Sequence, residues 1–325
     1  MNSTIASGIF MSVVVGIFGG CLASTIWSLA AFLDRNIASP IPKRQLSDKN
    51  DSWPALATWL ACSWILLSLL LPAILHVISP ASKPAAEFTM NQVLFLVAQN
   101  TIIMLFLLLA IDPKRFRAVG IISPEPVQDL ISAVWATPLM LTGAVILRIS
   151  LSPWIQPEDS HPILKMLSFD SPWINIVLLL LTAAIVAPLF EELLFRVILQ
   201  GWLTRLLGRN WSIPIVAIAF AAVHGWPDAV PLLLVGFMLG ILFDRRRSWL
   251  SVVALHSFFN ATMLIMQVLA VNATQPVAPE QPPVPEQQNP PITAPEAIEV
   301  SVLRKAGIAL ETLFEDQLPM KVRTS

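Results

Sequence analysis

The sequence predicts an all-α membrane protein, a polytopic bundle of about eight transmembrane helices followed by a disordered, proline-rich C-terminal tail. Three observations predict this class. The 325 residues are 55% hydrophobic and only 13% charged, whereas soluble domains carry about a quarter charged residues. Apolar segments approaching the length of a membrane span recur along the chain, and basic residues concentrate in alternate loops between these segments.

The charge balance and the cysteines exclude some functions. The formal net charge of -1 argues against a nucleic-acid partner, since nucleic-acid binding requires a basic surface. Cys21 and Cys62 lie inside apolar runs without metal or redox spacing, so they are interpreted as small buried hydrophobic residues. The apolar composition instead predicts membrane lipid as a partner.

A helix needs about 20 largely apolar residues to span a bilayer. Eight segments approach or exceed that length, and the sixth and seventh are short enough to form a hairpin instead. In chain order the segments are 5–33, 54–79, 91–111, 129–151, 174–200, 211–225, 229–243 and 249–272.

The distribution of lysine and arginine predicts the orientation. The loops after the first, third, fifth and seventh segments hold most of these residues, with Arg245, Arg246 and Arg247 in the last of them. By the positive-inside rule these loops are cytoplasmic. We therefore expect an integral multi-pass protein of the plasma membrane with both termini outside the cytoplasm.

Three ionisable residues stand in the fifth segment, within the stretch APLFEELLFR. A charged side chain at mid-membrane costs about 2.5–3.5 kcal/mol, so Glu191, Glu192 and Arg196 need a reason to be there. Glu192 and Arg196 are four residues apart and can form a helical ion pair. Glu191 points about 100° away and lacks that partner. Pro188 predicts a local kink just upstream.

Two further segments carry polar residues at helical spacing. His224 follows Phe220 by one turn in the sixth segment, and Asn260 follows His256 by one turn in the eighth. The helical rise of about 1.5 Å per residue places Glu191, both histidines and Asn260 roughly 11–20 Å from the cytoplasmic ends of their helices. A common depth is a necessary condition for a shared site, and these residues meet it.

This set of side chains suits the attack of water on a carbonyl group. A carboxylate among apolar walls can act as a general base, and a neighbouring histidine can pass the proton to the leaving amine. A second histidine and an amide can donate hydrogen bonds to the oxyanion. The same glutamate and two histidines could instead bind zinc, which would activate the water itself. The residues alone leave both mechanisms open.

EELLFR, FAAVH and HSFFN resemble the EExxxR, FxxxH and HxxxN motifs of the CPBP family, the CAAX-protease and bacteriocin-processing group of intramembrane proteases. The motifs occur in the family's order, each in its own segment. The resemblance implies an intramembrane endopeptidase acting on a membrane-associated protein or peptide. It implies Glu191 as the base that activates water and His224 as its partner. By the same resemblance His256 and Asn260 bind the oxyanion, and Glu192, Arg196 and Phe220 support the site.

The extent of the resemblance, together with the apolar runs and the composition outside it, predicts a division of the chain. Residues 1–124 form N-terminal transmembrane helices, and residues 125–272 form the catalytic membrane core. Residues 273–296 are a proline-rich linker, and residues 297–325 are a tail with a short amphipathic helix near its start.

Two other function classes compete with the protease. A transporter or proton relay also places Glu and His inside helices, but it predicts further polar residues through the bundle, and Gln99 and Asn100 in the third segment are the only candidates. A non-catalytic scaffold or immunity protein would keep the fold without the chemistry.

Overall fold

The computed structural model describes residues 3–34, 38–44, 53–78, 89–155, 166 and 172–274, and this part of the chain is helical, without a strand. The predicted linker and tail lie outside the described residues, apart from the end of the last helix. The helices in chain order are α1 Ser3–Leu33, α2 Ala55–Ile78, α3 Met90–Leu109, α4 Phe116–Val119, α5 Pro126–Leu151, the composite α6 Trp173–Leu207, α7 Arg209–Ala222, α8 Ala229–Arg246 and α9 Trp249–Thr274.

The predicted fold class is confirmed as a polytopic helical bundle. Each of the eight apolar segments corresponds to a helix, although α6 continues beyond its predicted end until the left-handed backbone of Gly208, with φ +76°, separates it from α7. The sixth segment, predicted to reach residue 225, ends as a helix at Ala222, so His224 lies in the turn that follows α7. By length and composition, five helices of the described chain are suited to crossing a membrane: α1, α3, α5, α6 and α9. Whether α2, α7 and α8 also cross stays a prediction.

Helix α6 lies at the centre of the bundle. Its C-terminal half contacts α2, α3, α7 and α9, and every residue of Leu193–Gln200 is buried. This stretch is apolar almost all round, which is the pattern of a helix enclosed by other helices. The central position explains why the ionisable residues of α6 face protein rather than lipid.

Helices α1, α5 and α9 pack together on one side of α6. The rings of Trp27 in α1 and Trp135 in α5 are perpendicular, with centroids 4.7 Å apart, and the Ser24 hydroxyl donates a hydrogen bond to the Trp135 carbonyl. Such an edge-to-face pair adds to the apolar contact between the two helices. The first helix is thereby attached to the rest of the bundle.

Helices α7 and α8 pack closely, as their short connection predicts. A Cβ on Gly236 would lie 3.1 Å from Ala217 Cα, and one on Gly240 would lie 3.0 Å from Ile213 Cγ2. The Gln200 side chain of α6 donates to the Gly240 carbonyl at 2.8 Å. The two glycines therefore allow α7 and α8 to approach at backbone distance, as the GxxxG spacing indicates.

Buried ion pairs join the end of α8 to the start of α5. Arg246 Nε lies 2.8 Å from Asp129 Oδ1, and Arg246 Nη2 lies 2.7 Å from Glu125 Oε2. Arg246 also donates to the Pro42 carbonyl at 3.3 Å. Since Arg246 and Asp129 are buried, their mutual neutralisation is what makes either one tolerable at that position.

The chain forms one compact unit over Met1–Pro276, and a second unit, Val277–Ser325, lies outside the described residues. The division at residue 124 falls inside the first unit and stays a prediction. Helices α2 and α3 nevertheless contact the same part of α6 as α7 and α9 do.

Candidate active site

The middle of α6 departs from regular α-helix. Two π-helical stretches, Thr182–Val186 and Leu193–Gln200, flank the short α-helical stretch Ala187–Glu192. Glu191 and Glu192 end that short stretch. Wide π turns inside α-helices are frequent at functional sites, because they turn side chains out of the ordinary helical register.

Pro188 explains the first π stretch and gives Asn260 a partner. The Ala187 N–H bonds the carbonyl five residues back, on Thr182. In the same register the Ala183 carbonyl would pair with residue 188, but proline has no N–H. The side-chain amide of Asn260 in α9 donates to Ala183 O instead, at 2.7 Å. At Pro188, where a kink was predicted, the helix therefore changes its hydrogen-bond register, and α9 supplies the donor for the carbonyl that Pro188 cannot pair with.

Glu192 and Arg196 form a fully buried ion pair, with Arg196 Nε 3.1 Å from Glu192 Oε2. The orientation of this contact does not meet hydrogen-bond geometry, so it is electrostatic. The guanidinium Nη1 and Nη2 have no hydrogen-bond partner among the described residues. The guanidinium carbon lies 4.9 Å from the centre of the Phe220 ring, at cation–π distance.

His256 lies between the two glutamates. Its Nδ1 is 2.8 Å from Glu192 Oε1, and its Nε2 is 3.9 Å from Glu191 Oε2. Because an ionised carboxylate only accepts, Nδ1 carries the proton in the first contact. The second distance is too long for a direct hydrogen bond. Glu192 therefore fixes the tautomer and orientation of the ring that faces Glu191.

His224 and Glu191 line one cavity of about 190 Å³. His224 Nδ1 lies 2.7 Å from the Phe220 carbonyl, so this nitrogen donates and Nε2 is left with a lone pair. The Glu191 side chain is 21% exposed, in contrast to the fully buried Glu192. Of the two adjacent glutamates, Glu191 is the one that reaches open space.

The Phe220 ring connects the helices of the site. Its centroid lies 4.7 Å from the ring of His224, 5.8 Å from that of His256 and 5.3 Å from that of Phe195. Arg196 stacks on the same ring. These contacts bring together residues of α6, α9 and the end of α7, and they include all the residues that the sequence singles out except Asn260. Asn260 instead contacts α6 through its hydrogen bond to the Ala183 carbonyl.

The N-terminal helices also contribute to the cavity, which the motifs did not predict. Trp64 and Ser68 of α2 and Asn100 of α3 line it beside Glu191 and His224. Within the described part of the chain, His256 and Asn260 do not line it. Asn100 was visible in the sequence as a polar residue in an apolar segment, but its helical position alone does not show which neighbours it faces.

The donor geometry bears on the zinc alternative, which needs Glu191, His224 and His256 to converge. In the described part of the chain no group of three or more His, Cys, Asp or Glu residues is arranged to hold a metal ion. Glu191 and His224 line the cavity, whereas His256 is not among the described residues that line it. These residues as placed do not fit a zinc site, and we derive no step through a metal.

Comparison with known proteins identifies the segment that carries the site. Residues 173–262 match the family model described as type II CAAX prenyl endopeptidase Rce1-like. No curated protein and no solved structure matches the chain. The matched segment contains α6, α7, α8 and most of α9, and with them all three motifs. This segment is therefore similar to Rce1-like type II CAAX prenyl endopeptidases, which is consistent with the resemblance of its motifs to those of the CPBP intramembrane proteases.

Proposed function

We propose that the protein is an intramembrane endopeptidase that hydrolyses a peptide bond of a membrane-associated protein or peptide with water activated by Glu191. The observation that carries this proposal is that Glu191 of α6 and His224, in the turn just after α7, line the same cavity. An acid–base pair beside a space for substrate is what hydrolysis requires. The match to a protease family over residues 173–262 supports the same reaction class.

The attacking water would lie beside Glu191. The 3.9 Å between Glu191 Oε2 and His256 Nε2 excludes a direct bond but lets one water molecule contact both atoms. The Glu191 carboxylate takes one proton from the water molecule while the oxygen of that water bonds to the carbonyl carbon of the substrate. The carbonyl π electrons move onto oxygen and produce a tetrahedral oxyanion.

Collapse of this intermediate breaks the C–N bond. The proton held by Glu191 passes to the leaving nitrogen, with His224 Nε2 as the relay on the cavity side. The products are a carboxylic acid and an amine, the acid's proton then moves to the amine to give a carboxylate and an ammonium group, and Glu191 is again ionised. This cycle consumes one water molecule and needs no other reactant.

His256 and Asn260 are the proposed oxyanion donors. Glu192 accepts from His256 Nδ1 at 2.8 Å, and in the imidazolium form of this ring Nε2–H is a second donor, which can bind the oxyanion. Asn260 Nδ2 carries two protons and gives one to Ala183, which leaves the other for the substrate oxygen. Both donors sit on α9, one turn apart.

The setting of this reaction is a membrane. The apolar helices and the family match support an integral membrane protein. We further propose a plasma-membrane location with both termini outside the cytoplasm, from the positions of the basic loops. Residues 125–272 would form the catalytic core.

The test compares new peptide termini in membranes that contain the wild type or Glu191→Gln. The control is Asp112→Asn, which removes an exposed carboxylate but keeps an oxygen for the capping bond to Lys114 N. We expect the same cleavage products from the wild type and the control, and none from Glu191→Gln. A fully active Glu191→Gln variant would rule out this mechanism. A wild type that is folded but yields no products would favour a transporter or a scaffold.

A further inference from the structure

The cavity beside Glu191 is built from two parts of the chain. Glu191, Phe195 and His224 belong to the family-matched segment, whereas Trp64, Ser68 and Asn100 come from α2 and α3, outside it. Four of the ten residues that line the cavity are therefore supplied by helices to which no role is assigned. Their side chains determine what can occupy the space next to the base.

Asn100 is the most polar of these additions. It lies in the interior of α3, where its neighbours Gln99 and Thr101 are also polar but do not line the cavity. Its side-chain amide makes no hydrogen bond with another described residue. A polar group within a membrane helix is costly unless it finds a partner, so an amide residue that lines a cavity indicates a partner that enters the cavity.

The size of the cavity limits that partner. Its volume is about 190 Å³, while one water molecule occupies about 30 Å³ of liquid. Pockets that enclose a drug-sized ligand measure about 300–1,000 Å³. The space beside Glu191 thus accommodates one amino-acid residue of an extended chain, not a longer ligand.

The lining suits one residue of a peptide with an apolar side chain. The Trp64 and Phe190 rings meet edge to face, with centroids 6.3 Å apart, and form an aromatic wall. A peptide group that leaves water for this cavity needs both a donor and an acceptor. A side-chain amide offers both, whereas Glu191 and His224 are engaged in proton transfer.

We infer that α2 and α3 complete the substrate site and that the Asn100 amide binds the main chain of the peptide residue next to the scissile bond. This inference rests on the proposed function and adds a substrate-binding residue to it. The Asn100 amide holds the peptide in place before and during attack by water. Its contribution falls on substrate binding, and so on KM rather than on kcat.

The test uses the full-length protein and a synthetic peptide that spans a cleavage site mapped from the wild-type termini. Asn100→Leu removes the amide at similar volume, and Asn100→Ser keeps a hydroxyl donor. Gln99→Leu is the matched control, because the neighbouring residue on α3 undergoes the same loss of polarity without lining the cavity. We expect Asn100→Leu to raise KM about tenfold at nearly constant kcat, Asn100→Ser to raise it less, and Gln99→Leu to leave it unchanged.

A binding measurement separates this inference from the catalytic mechanism. Affinity for the labelled peptide is compared between Glu191→Gln and the double variant Glu191→Gln/Asn100→Leu, neither of which should cleave it. We expect about tenfold weaker binding by the double variant. Equal binding, or a loss of kcat alone, overturns the inference while leaving the mechanism intact. Absence of cleavage by the wild type overturns both.

Misfolding is checked by thermal melting of each variant. If Asn100→Leu does not fold, Asn100→Ser carries the test. The inference is then overturned by a KM equal to that of the wild type together with equal peptide affinities of Glu191→Gln and Glu191→Gln/Asn100→Ser.

Discussion

The ring of His256 lies between the two adjacent glutamates of α6, 2.8 Å from Glu192 Oε1 through Nδ1 and 3.9 Å from Glu191 Oε2 through Nε2. Glu192 lies in turn 3.1 Å from Arg196 Nε and is fully buried. One buried carboxylate therefore neutralises an arginine and orients the ring that faces the proposed base. Its two oxygens have two different tasks.

Glu192→Ala should lower stability strongly. It would leave Arg196 without its counter-ion and His256 without its acceptor, and loss of one partner of a buried ion pair costs about 3–5 kcal/mol. Glu192→Gln keeps an acceptor for His256 but not the charge, so we expect a smaller loss. Thermal melting of the purified protein in detergent measures both changes.

The control for this prediction is Glu125→Ala. That carboxylate also pairs with a buried arginine, Arg246, but it is half-exposed and Asp129 remains as a second partner. We expect a loss of at most about 1 kcal/mol. Normal expression and melting of Glu192→Ala would contradict the role assigned to the Glu192–Arg196 pair.

The bond between Asn260 and Ala183 can be tested by a double-mutant cycle. Asn260→Ala leaves the Ala183 carbonyl without a partner, which costs about 1–3 kcal/mol. Pro188→Ala restores an N–H to α6 in the register that can reach this carbonyl. We therefore expect Asn260→Ala to cost less in the Pro188→Ala background than in the wild type.

The cycle is read from the unfolding midpoints of the four proteins. An interaction energy of about 0.5 kcal/mol or more, in the compensating direction, supports the register change at Pro188. Strict additivity of the two substitutions would show that Asn260 does not take the place of a missing backbone donor.

The sequence predicted the fold class, the positions of all eight helical segments and the Glu192–Arg196 spacing. These features are local: apolar runs follow from the cost of burying charge in lipid, and a pair four residues apart shares a helix face. The resemblance placed His256 at the oxyanion, and its Nδ1 contact with Glu192 was not expected. That contact joins α6 to α9, and the length of the apolar runs does not specify how two helices are rotated against each other.

The cavity was unpredictable for the same reason. Asn100 and His224 are far apart in the chain, and only the packing of α3 and α7 around α6 brings them to one space. The kink at Pro188 was expected, but the π-helical register was not, because it depends on a donor from α9. The features of the site that lie within one helix could therefore be predicted from the sequence, whereas those that depend on contacts between helices could not.

A third prediction concerns the loop that follows His224. Arg148 near the end of α5 lies 3.0 Å from Asp228, four residues after this histidine, and both side chains are about one-third exposed. Such a pair contributes at most about 1 kcal/mol to stability. By restraining the loop it positions His224, so we expect Arg148→Ala to reduce kcat about tenfold with little change in melting.

The rescue experiment exchanges the two charges. Arg148→Asp alone should be less active than Arg148→Ala, because it repels Asp228, and adding Asp228→Arg should restore most of the rate. Unchanged kcat in all three variants would show that the loop is held without this pair.

The last prediction concerns the glycine contact between α7 and α8. In Gly236→Ala the new Cβ would lie 3.1 Å from Ala217 Cα and 3.2 Å from Ala217 O, and backbone atoms cannot move aside as a flexible side chain can. The helices must separate, which costs about 1–3 kcal/mol.

Gly19→Ala in α1 is the matched control, because its Cβ meets nothing within 4 Å. Alanine is the better helix former by about 1 kcal/mol, so the control should melt at or above the wild-type temperature. Since α7 carries Phe220 and leads directly into the turn with His224, Gly236→Ala should also reduce peptide cleavage, whereas Gly19→Ala should not. Equal melting temperatures and rates for the two variants would show that close contact at Gly236 is dispensable for holding α7 in place.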